Sequence, residues 1–223
     1  MKFPVLNEQL AEFIGVMLGD GTLTKNFIRI YGDSRYDLSY FKYLESLVKN
    51  LFDLKVKISA RKDKNLLILT VCSTDLCRLL NGKYEFPYGN KLKKARIPNK
   101  VIEDKKLAIS CLRGLIDTDG CVGKRGRWLR IVFFSRTPKL LEQVWEIGKH
   151  YNLFTYKYWE QVGTDSFDKI VKYFQIVGSS NLRHIVRFLE KYKNNKLLYV
   201  REVVDFYSNY KDISLPYKLG PVV

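Results

Sequence analysis

The chain is poor in the side chains that most often build metal centres and acid–base pairs. Among 223 residues it has two histidines, His150 and His184, and four cysteines, Cys72, Cys77, Cys111 and Cys121. No CxxC pair occurs and neither histidine stands in a ligand cluster, which argues against a zinc site. The cysteines read as reduced core residues of an intracellular protein, with Cys111 on an apolar helical face, and the histidines as surface or half-buried residues. The first residues lack a basic-then-apolar leader, and no apolar run is long enough to span a bilayer, so no membrane partner is expected. A Gly-rich phosphate loop of the Walker type is also missing, which removes NTP-driven chemistry. Disorder is expected only in the tail after Tyr207, which carries Pro216 and Pro221.

Positive charge, by contrast, is abundant. Lys and Arg number 39 against 23 Asp and Glu, giving a formal charge of +16 and a pI near 9.6. Such a chain attracts polyanions, whether DNA, RNA or an anionic surface. With 46% hydrophobic residues it can bury a real core, as one domain or two fused halves. In Lys55 to Arg61 strand alternation puts Lys55, Lys57, Ser59 and Arg61 on one face, which suits a nucleic-acid groove as well as a solvated surface. Thr24, Arg29 and Tyr31 in the first half, and Arg125, Arg127 and Arg130 in the second, are further candidates for DNA binding. Trp128 and Phe134 share a face with Arg130, and Tyr156 and Tyr158 compete with Lys157 for the exposed side.

Two stretches repeat one pattern: Gly15-Val-Met-Leu-Gly-Asp-Gly21 and Gly114-Leu-Ile-Asp-Thr-Asp-Gly120. Behind each Asp-Gly lies a ridge of small residues at i, i+4 and i+8: Ala11, Gly15 and Gly19, then Ser110, Gly114 and Thr118. Helix separation follows the side chains at the contact, normally about 8 to 10 Å, so such ridges permit a closer approach. Glycine in a helix interior costs roughly 1 kcal/mol, so Gly15 and Gly114 call for a packing reason. Paired about a pseudo-twofold axis, the two helices would set Asp20 and Asp119 side by side. Two carboxylates so placed need protons or a cation, and a hard divalent ion such as Mg²⁺ suits them. Asp-Gly also ends ordinary helices, because Gly accepts positive φ, but two matching ridges favour the shared site.

Later landmarks support duplication. Asp20 and Asp119 are 99 residues apart, Leu38 and Leu140 are 102 apart, and Ser73-Thr-Asp-Leu76 precedes Ser179-Ser-Asn-Leu182 by 106. Growing offsets are what loop insertions would give. Each copy reads as helix, hairpin, helix, hairpin, helix. The hairpins are Thr22 to Tyr31 and Cys121 to Ser135, then Lys55–Arg61 with Leu66–Cys72, and Phe154–Gln161 with Ile170–Val177. Apolar spacing at Leu38, Phe41, Leu44, Leu47, Val48 and Leu51, and at Leu140, Leu141, Val144 and Ile147, marks the middle helices. The expected class is α+β, an αββαββα unit repeated. The segment 82–100, rich in Gly, Pro and Lys, joins a first half at 1–97 to a second at 98–223.

The second motif with Leu112-Arg113, and more distantly the first with Phe13-Ile14, resembles the LAGLIDADG signature of homing endonucleases. That resemblance, to the two-motif members, implies a monomer whose two four-stranded sheets form a saddle over double-stranded DNA. It implies Mg²⁺-dependent, site-specific cleavage of both strands of a long asymmetric target, as in intron-encoded nucleases. Asp20 and Asp119 would be catalytic and bind metal, with the carbonyls of Gly19 and Thr118 assisting. Lys91 and Lys193 match the basic residues that relatives place near the scissile phosphates. At the sixth motif position Leu18 departs from the signature, whereas Asp117 keeps it. The alternative is an intron RNA maturase or a non-cleaving DNA-binding regulator of the same fold. The ends, Met1-Lys2 and Val222-Val223, lack the residues splicing requires, so an intein is not expected.

Overall fold

The computed structural model describes residues 1–220; Pro221, Val222 and Val223 lie outside the described residues. The first copy runs α1 (Glu8–Leu18), β1 (Gly21–Leu23), β2 (Phe27–Asp33), α2 (Leu38–Phe52), β3 (Lys57–Arg61), β4 (Leu66–Cys72) and α3 (Thr74–Tyr84). After a short α4 (Asn99–Ile102), the second runs α5 (Lys105–Thr118), β5 (Gly120–Arg125), β6 (Trp128–Phe134), α6 (Pro138–His150), β7 (Tyr156–Lys157) and β8 (Gln161–Thr164). It closes with α7 (Phe167–Ile176), α8 (Leu182–Asn194) and a 3-10 segment, Val200–Tyr210. Two antiparallel sheets result, ordered β1-β2-β4-β3 and β5-β6-β8-β7. This is the duplicated α+β architecture.

Local chemistry explains the helix starts. Asn7 caps α1 by accepting from the Leu10 amide, Ser73 caps α3 through Leu76, and Asp104 caps α5 through Lys106 and Leu107. Period-two alternation buries Ile28, Ile30, Leu67, Leu69 and Val71 in the first sheet and Leu129, Ile131 and Phe133 in the second. The opposite face of the first sheet is left open, whereas on the second Val132 is buried and Gly123 lies under Arg187 of α8. The middle helices bury Phe41, Leu44, Leu47, Val48 and Leu51, and Leu140, Leu141, Val144 and Ile147, against the inner faces.

Several expectations need correction. Ile170–Val177 is not a strand: Phe167, Ile170, Val171 and Phe174 repeat at helical spacing and form α7, which follows β8 and packs on β6 as α3 follows β4 and packs on β2, so α8 is the element the first copy lacks. The strand before it is reduced to Tyr156–Lys157, and Gln161 opens β8. Leu38 and Leu140 are not equivalent. The N-caps Asp37 and Thr137 are, and Leu38 follows its cap directly and stays exposed. Likewise the cap of α8 is Asn181, not a serine. Cys72 is exposed at the end of β4 and only Cys77 and Cys111 are buried, while His184 is wholly buried. The tail docks: Ser179 and Tyr217 exchange backbone hydrogen bonds at 3.0 and 2.8 Å, and Leu215 and Leu219 pack on the core. The segment 82–100 is also anchored. Gln143 on α6 bonds both the amide and the carbonyl of Ile97, and Gly89 donates to Leu23.

Candidate functional site

Helices α1 and α5 pack with their backbones in contact. A Cβ added at Gly15 would lie 2.1 Å from the Cys111 carbonyl oxygen, and one at Gly114 would lie 2.2 Å from that of Glu12. These two contacts exchange under the 99-residue shift, so the helices are related by a local twofold. The relation extends to the helix ends, where Gly19 faces its own counterpart, Thr118. Ala11 and Ser110, further back on the ridges, are buried. Gly21 and Gly120 do not have positive φ. They are glycines because a Cβ would strike Met17 and Ile116 of the preceding turn at 2.5 Å, so Asp-Gly here is not an ordinary helix stop.

Asp20 and Asp119 emerge where this contact ends. Burial and the neighbouring Asp119 push the Asp20 carboxyl up to about 7. Burial also raises Asp119, against the pull of Lys91. Lys91, carried back by the connecting segment, donates from Nζ to the Gly19 carbonyl, to that of Gly21 at 2.9 Å and to that of Met17 at 3.3 Å. Its burial lowers its proton affinity, and the two aspartates work against that. Lys91 and Asp119 line a cleft of about 480 Å³ together with Leu18, Phe134 and Thr137.

Lys193 has no such place. It is exposed in the last turn of α8, roughly 15 Å along the helix axis from Arg183 at the start. Arg183 is a further cation whose charge reaches the acids. It pairs at 3.3 Å with Asp37, the cap equivalent to Thr137, and its charge lowers Asp20. Sequence reasoning missed it because Arg183 stands 163 residues from Asp20 and no local pattern joins them.

A family model described as a LAGLIDADG-like domain matches residues 107–192. The second copy thus matches a LAGLIDADG-like domain, and the fold of the chain is the LAGLIDADG fold. Among solved structures, the N-terminal LAGLIDADG domain of DUF199/WhiA aligns with a TM-score of 0.55 at 16% identity, covering 78% of this chain and 83% of that one. The homing endonuclease I-DmoI, in complex with DNA and Mn, aligns at 0.51 and 17% identity, covering 76% of this chain and 96% of that one. At such identities the likeness is one of fold. A curated relative, an A-type ATP synthase subunit from Pyrococcus horikoshii, is 33% identical over 104 residues, which are 46% of this chain. The chain spans about a tenth of the length of the curated relatives it matches.

The remaining candidates lie on the outer faces of the two LAGLIDADG sheets or their turns. Across the first sheet the register aligns Thr22, Arg29, Thr70 and Lys57 in one row, and Tyr31, Ile68 and Ser59 in the next. Arg61 continues the edge strand, and Lys55 is exposed just before it. Thr24 is not free, since its hydroxyl donates to the Phe27 carbonyl and accepts the Asn26 and Phe27 amides to close the turn. Thr22 holds the equivalent place in the row. In the second sheet Arg125 is paired to Asp165 at 3.2 Å, Arg130 is half-buried on the outer face, and Arg127 stands exposed in the β5–β6 turn.

A buried polar network behind the LAGLIDADG helices escaped the sequence reading. Arg113 on α5 donates to Glu12 on α1 at 2.8 and 3.1 Å, and Glu12 also accepts from Tyr43 and Ser180. Asp117 points into the fold, where it accepts from the Ser179 hydroxyl and the Ser180 amide and meets His184 Nδ1 at 3.3 Å. Burial holds His184 neutral. The sixth-position aspartate therefore secures the start of α8, which explains why Leu18 can replace it in the other copy. The available signal was a lone Glu and a lone Arg embedded in the two apolar helices.

Proposed function

We propose that the chain is a site-specific endonuclease that hydrolyses both strands of a long, asymmetric double-stranded DNA target as a monomer, with Mg²⁺. The observation that supports this most is the Asp20–Asp119 pair, two half-buried carboxylates of raised proton affinity at equivalent ends of touching helices. The donor set fits a hard divalent ion, because the two acids need a positive charge and the Gly19 carbonyl already accepts from an ammonium. Asp20, Asp119 and the carbonyls of Gly19 and Thr118 would hold it. Such an ion supplies activation of water and stabilisation of the leaving oxygen. The chain's own cations do the rest: Lys91 and Arg183 offset phosphate charge near the acids, and Arg29, Lys57, Arg61 and Arg130 hold the backbone. The fold relative I-DmoI is known in complexes with DNA and Mn and with DNA and Ca, which supports DNA and a divalent ion as partners here.

One observation favours a second reading, a non-cleaving DNA-binding regulator or an intron RNA maturase. Lys91 itself neutralises the aspartates at the Gly19 carbonyl, so the fold has a cation there without any ion. Recovery of cleaved ends from fragmented genomic DNA with Mg²⁺ decides between them. A recurring end that vanishes in the Asp20→Asn/Asp119→Asn variant supports the nuclease. Retained binding with no ends from wild type supports the other.

A further inference from the structure

The two sheets present different groups at equivalent places. Tyr31 and Phe134 correspond, because the Tyr31 amide donates to the Asp20 carbonyl at 3.3 Å and the Phe134 amide to the Asp119 carbonyl at 3.2 Å. One copy thus sets a phenol beside its acid, and the other a bare phenyl ring. Alternation along β6 sends Trp128, Arg130 and Val132 to the same outer face as Phe134, and Trp128 is 60% and Phe134 44% exposed. Among the described residues, no strand of the first sheet exposes a large hydrophobic side chain. Its own outward ring, Phe27, lies under the Arg29 guanidinium at 4.5 Å, so that sheet shows a cation there instead. Opposite Phe134 on the next strand stands Gln161, half-buried on the same outer face. Arg125, the partner of Trp128 in the register, is held by Asp165 at 3.2 Å.

A phenyl ring has no hydrogen bond to offer a base edge or a phosphate; it gains by burying apolar surface. In the major groove of paired DNA one apolar group projects from the base edges, the C5 methyl of thymine. The adenine paired with it offers an N6 donor and an N7 acceptor, which a glutamine amide meets with two hydrogen bonds. Phe134 and Gln161 side by side therefore suit one thymine·adenine pair. Duplex RNA does not fit, since its major groove is too deep and narrow for side chains to read. We propose that the second sheet selects thymine-bearing base pairs, with Phe134 packing on the methyl group and Gln161 reading the adenine close to Asp119, and Trp128 taking a second thymine methyl further along the groove. The half of the target under β5 to β8 is then biased towards A·T, while the half under the first sheet is read by Arg29, Lys57 and hydroxyl groups. The choice of duplex DNA rests on the nuclease reading above; the base preference rests on the side chains of this face.

The test starts from a randomised DNA duplex pool bound by the full chain without divalent ion. The recovered duplex is remade with deoxyuridine for thymidine in one half at a time, which removes the methyl group and keeps the pairing. Recovered duplexes should carry an A·T pair at a fixed place in one half, and uracil there should weaken binding about fourfold, the worth of one buried methyl group. Uracil in the other half should matter less. Phe134→Ala should bind thymine and uracil duplexes alike, and Phe134→Leu should restore the difference. A 5-methylcytosine·guanine pair keeps the methyl group and loses the adenine edge, so wild type should bind it more weakly than thymine·adenine, and Gln161→Ala should bring the two level. An equal loss on thymine and uracil duplexes in Phe134→Ala would overturn the proposal, and so would recovered duplexes with no thymine at a fixed place. If the wild type cuts the recovered duplex with Mg²⁺ while uracil makes no difference, the base preference fails and the nuclease reading stands. If uracil weakens binding but nothing is cut, the reverse follows.

Discussion

Gly15→Ala, a single added methyl group, should unfold this protein more easily, while the same change at Gly82 should do the opposite. Gly82 lies in the exposed last turn of α3 with nothing within 4 Å of the position a Cβ would take. Alanine there restricts the unfolded chain and should stabilise by about 0.4 to 1 kcal/mol. Gly15 sits in a helix too and gains the same term, but its new Cβ would be 2.1 Å from Cys111 oxygen and 3.0 Å from Leu115 nitrogen. Those are backbone atoms of the facing helix, so no rotamer relieves the clash. Helices α1 and α5 must separate by more than an ångström, disturbing the packed neighbours and the end where Asp20 and Asp119 meet. Overpacking of that kind costs about 1 to 3 kcal/mol or more. In a chain of this length that is about 2 to 4 °C of melting temperature per kcal/mol. Gly114→Ala should cost as much, because its contacts are the twofold copies of these. The double variant should cost less than the sum, since helices already moved apart accept the second methyl group more easily. Thermal and urea unfolding of the four variants measure this directly. If Gly15→Ala and Gly82→Ala shift stability equally, the close helix contact is wrong.

Without divalent ion, Asp20 holds its proton more tightly in the folded chain, near 7 against 3.8 unfolded, so its contribution is fully present below about pH 4 and is lost as pH rises through 7. The loss is up to about 4 kcal/mol. Asp20→Asn should therefore raise the melting temperature at pH 8 relative to wild type, and divalent ion should close the gap. Subtracting the two pH profiles removes the opposing effect of His184, whose burial costs stability as pH falls below 6.5. A flat difference profile would refute the carboxylate pairing. Glu12→Gln should destabilise by about 3 to 5 kcal/mol, because it leaves the Arg113 guanidinium buried without its counter-charge; urea titration reads this out. Lys91→Met and Arg183→Met should each reduce DNA cleavage at least tenfold, while Lys193→Met should leave it within twofold; single-turnover cleavage rates would show equal effects if Lys193 were the second cation.

Much of the architecture is legible because it is periodic. The small-residue ridges, the alternation in β2, β4 and β6, and the heptad-like spacing of α2 and α6 each follow from local geometry. The pattern misled where one run satisfies two periods. Ile170–Val177 is β-branched and apolar enough for a strand, yet Phe167, Ile170 and Phe174 form a helical stripe whose burial decides the matter. Lys91 was legible only through family spacing, and Arg183 not at all, because neither residue lies near the aspartates in sequence.

By itself, then, the sequence determined the duplicated unit, the two glycine-bearing helices and the pairing of Asp20 with Asp119, since each depends on residues a few positions apart and on one symmetry relation. The tertiary structure alone decided which cations come near the acids and why Asp117 faces inward. Those depend on chain segments brought together from 60 or more residues away, such as Lys91 to Gly19 and Ser179 to Asp117, and no local pattern records such contacts.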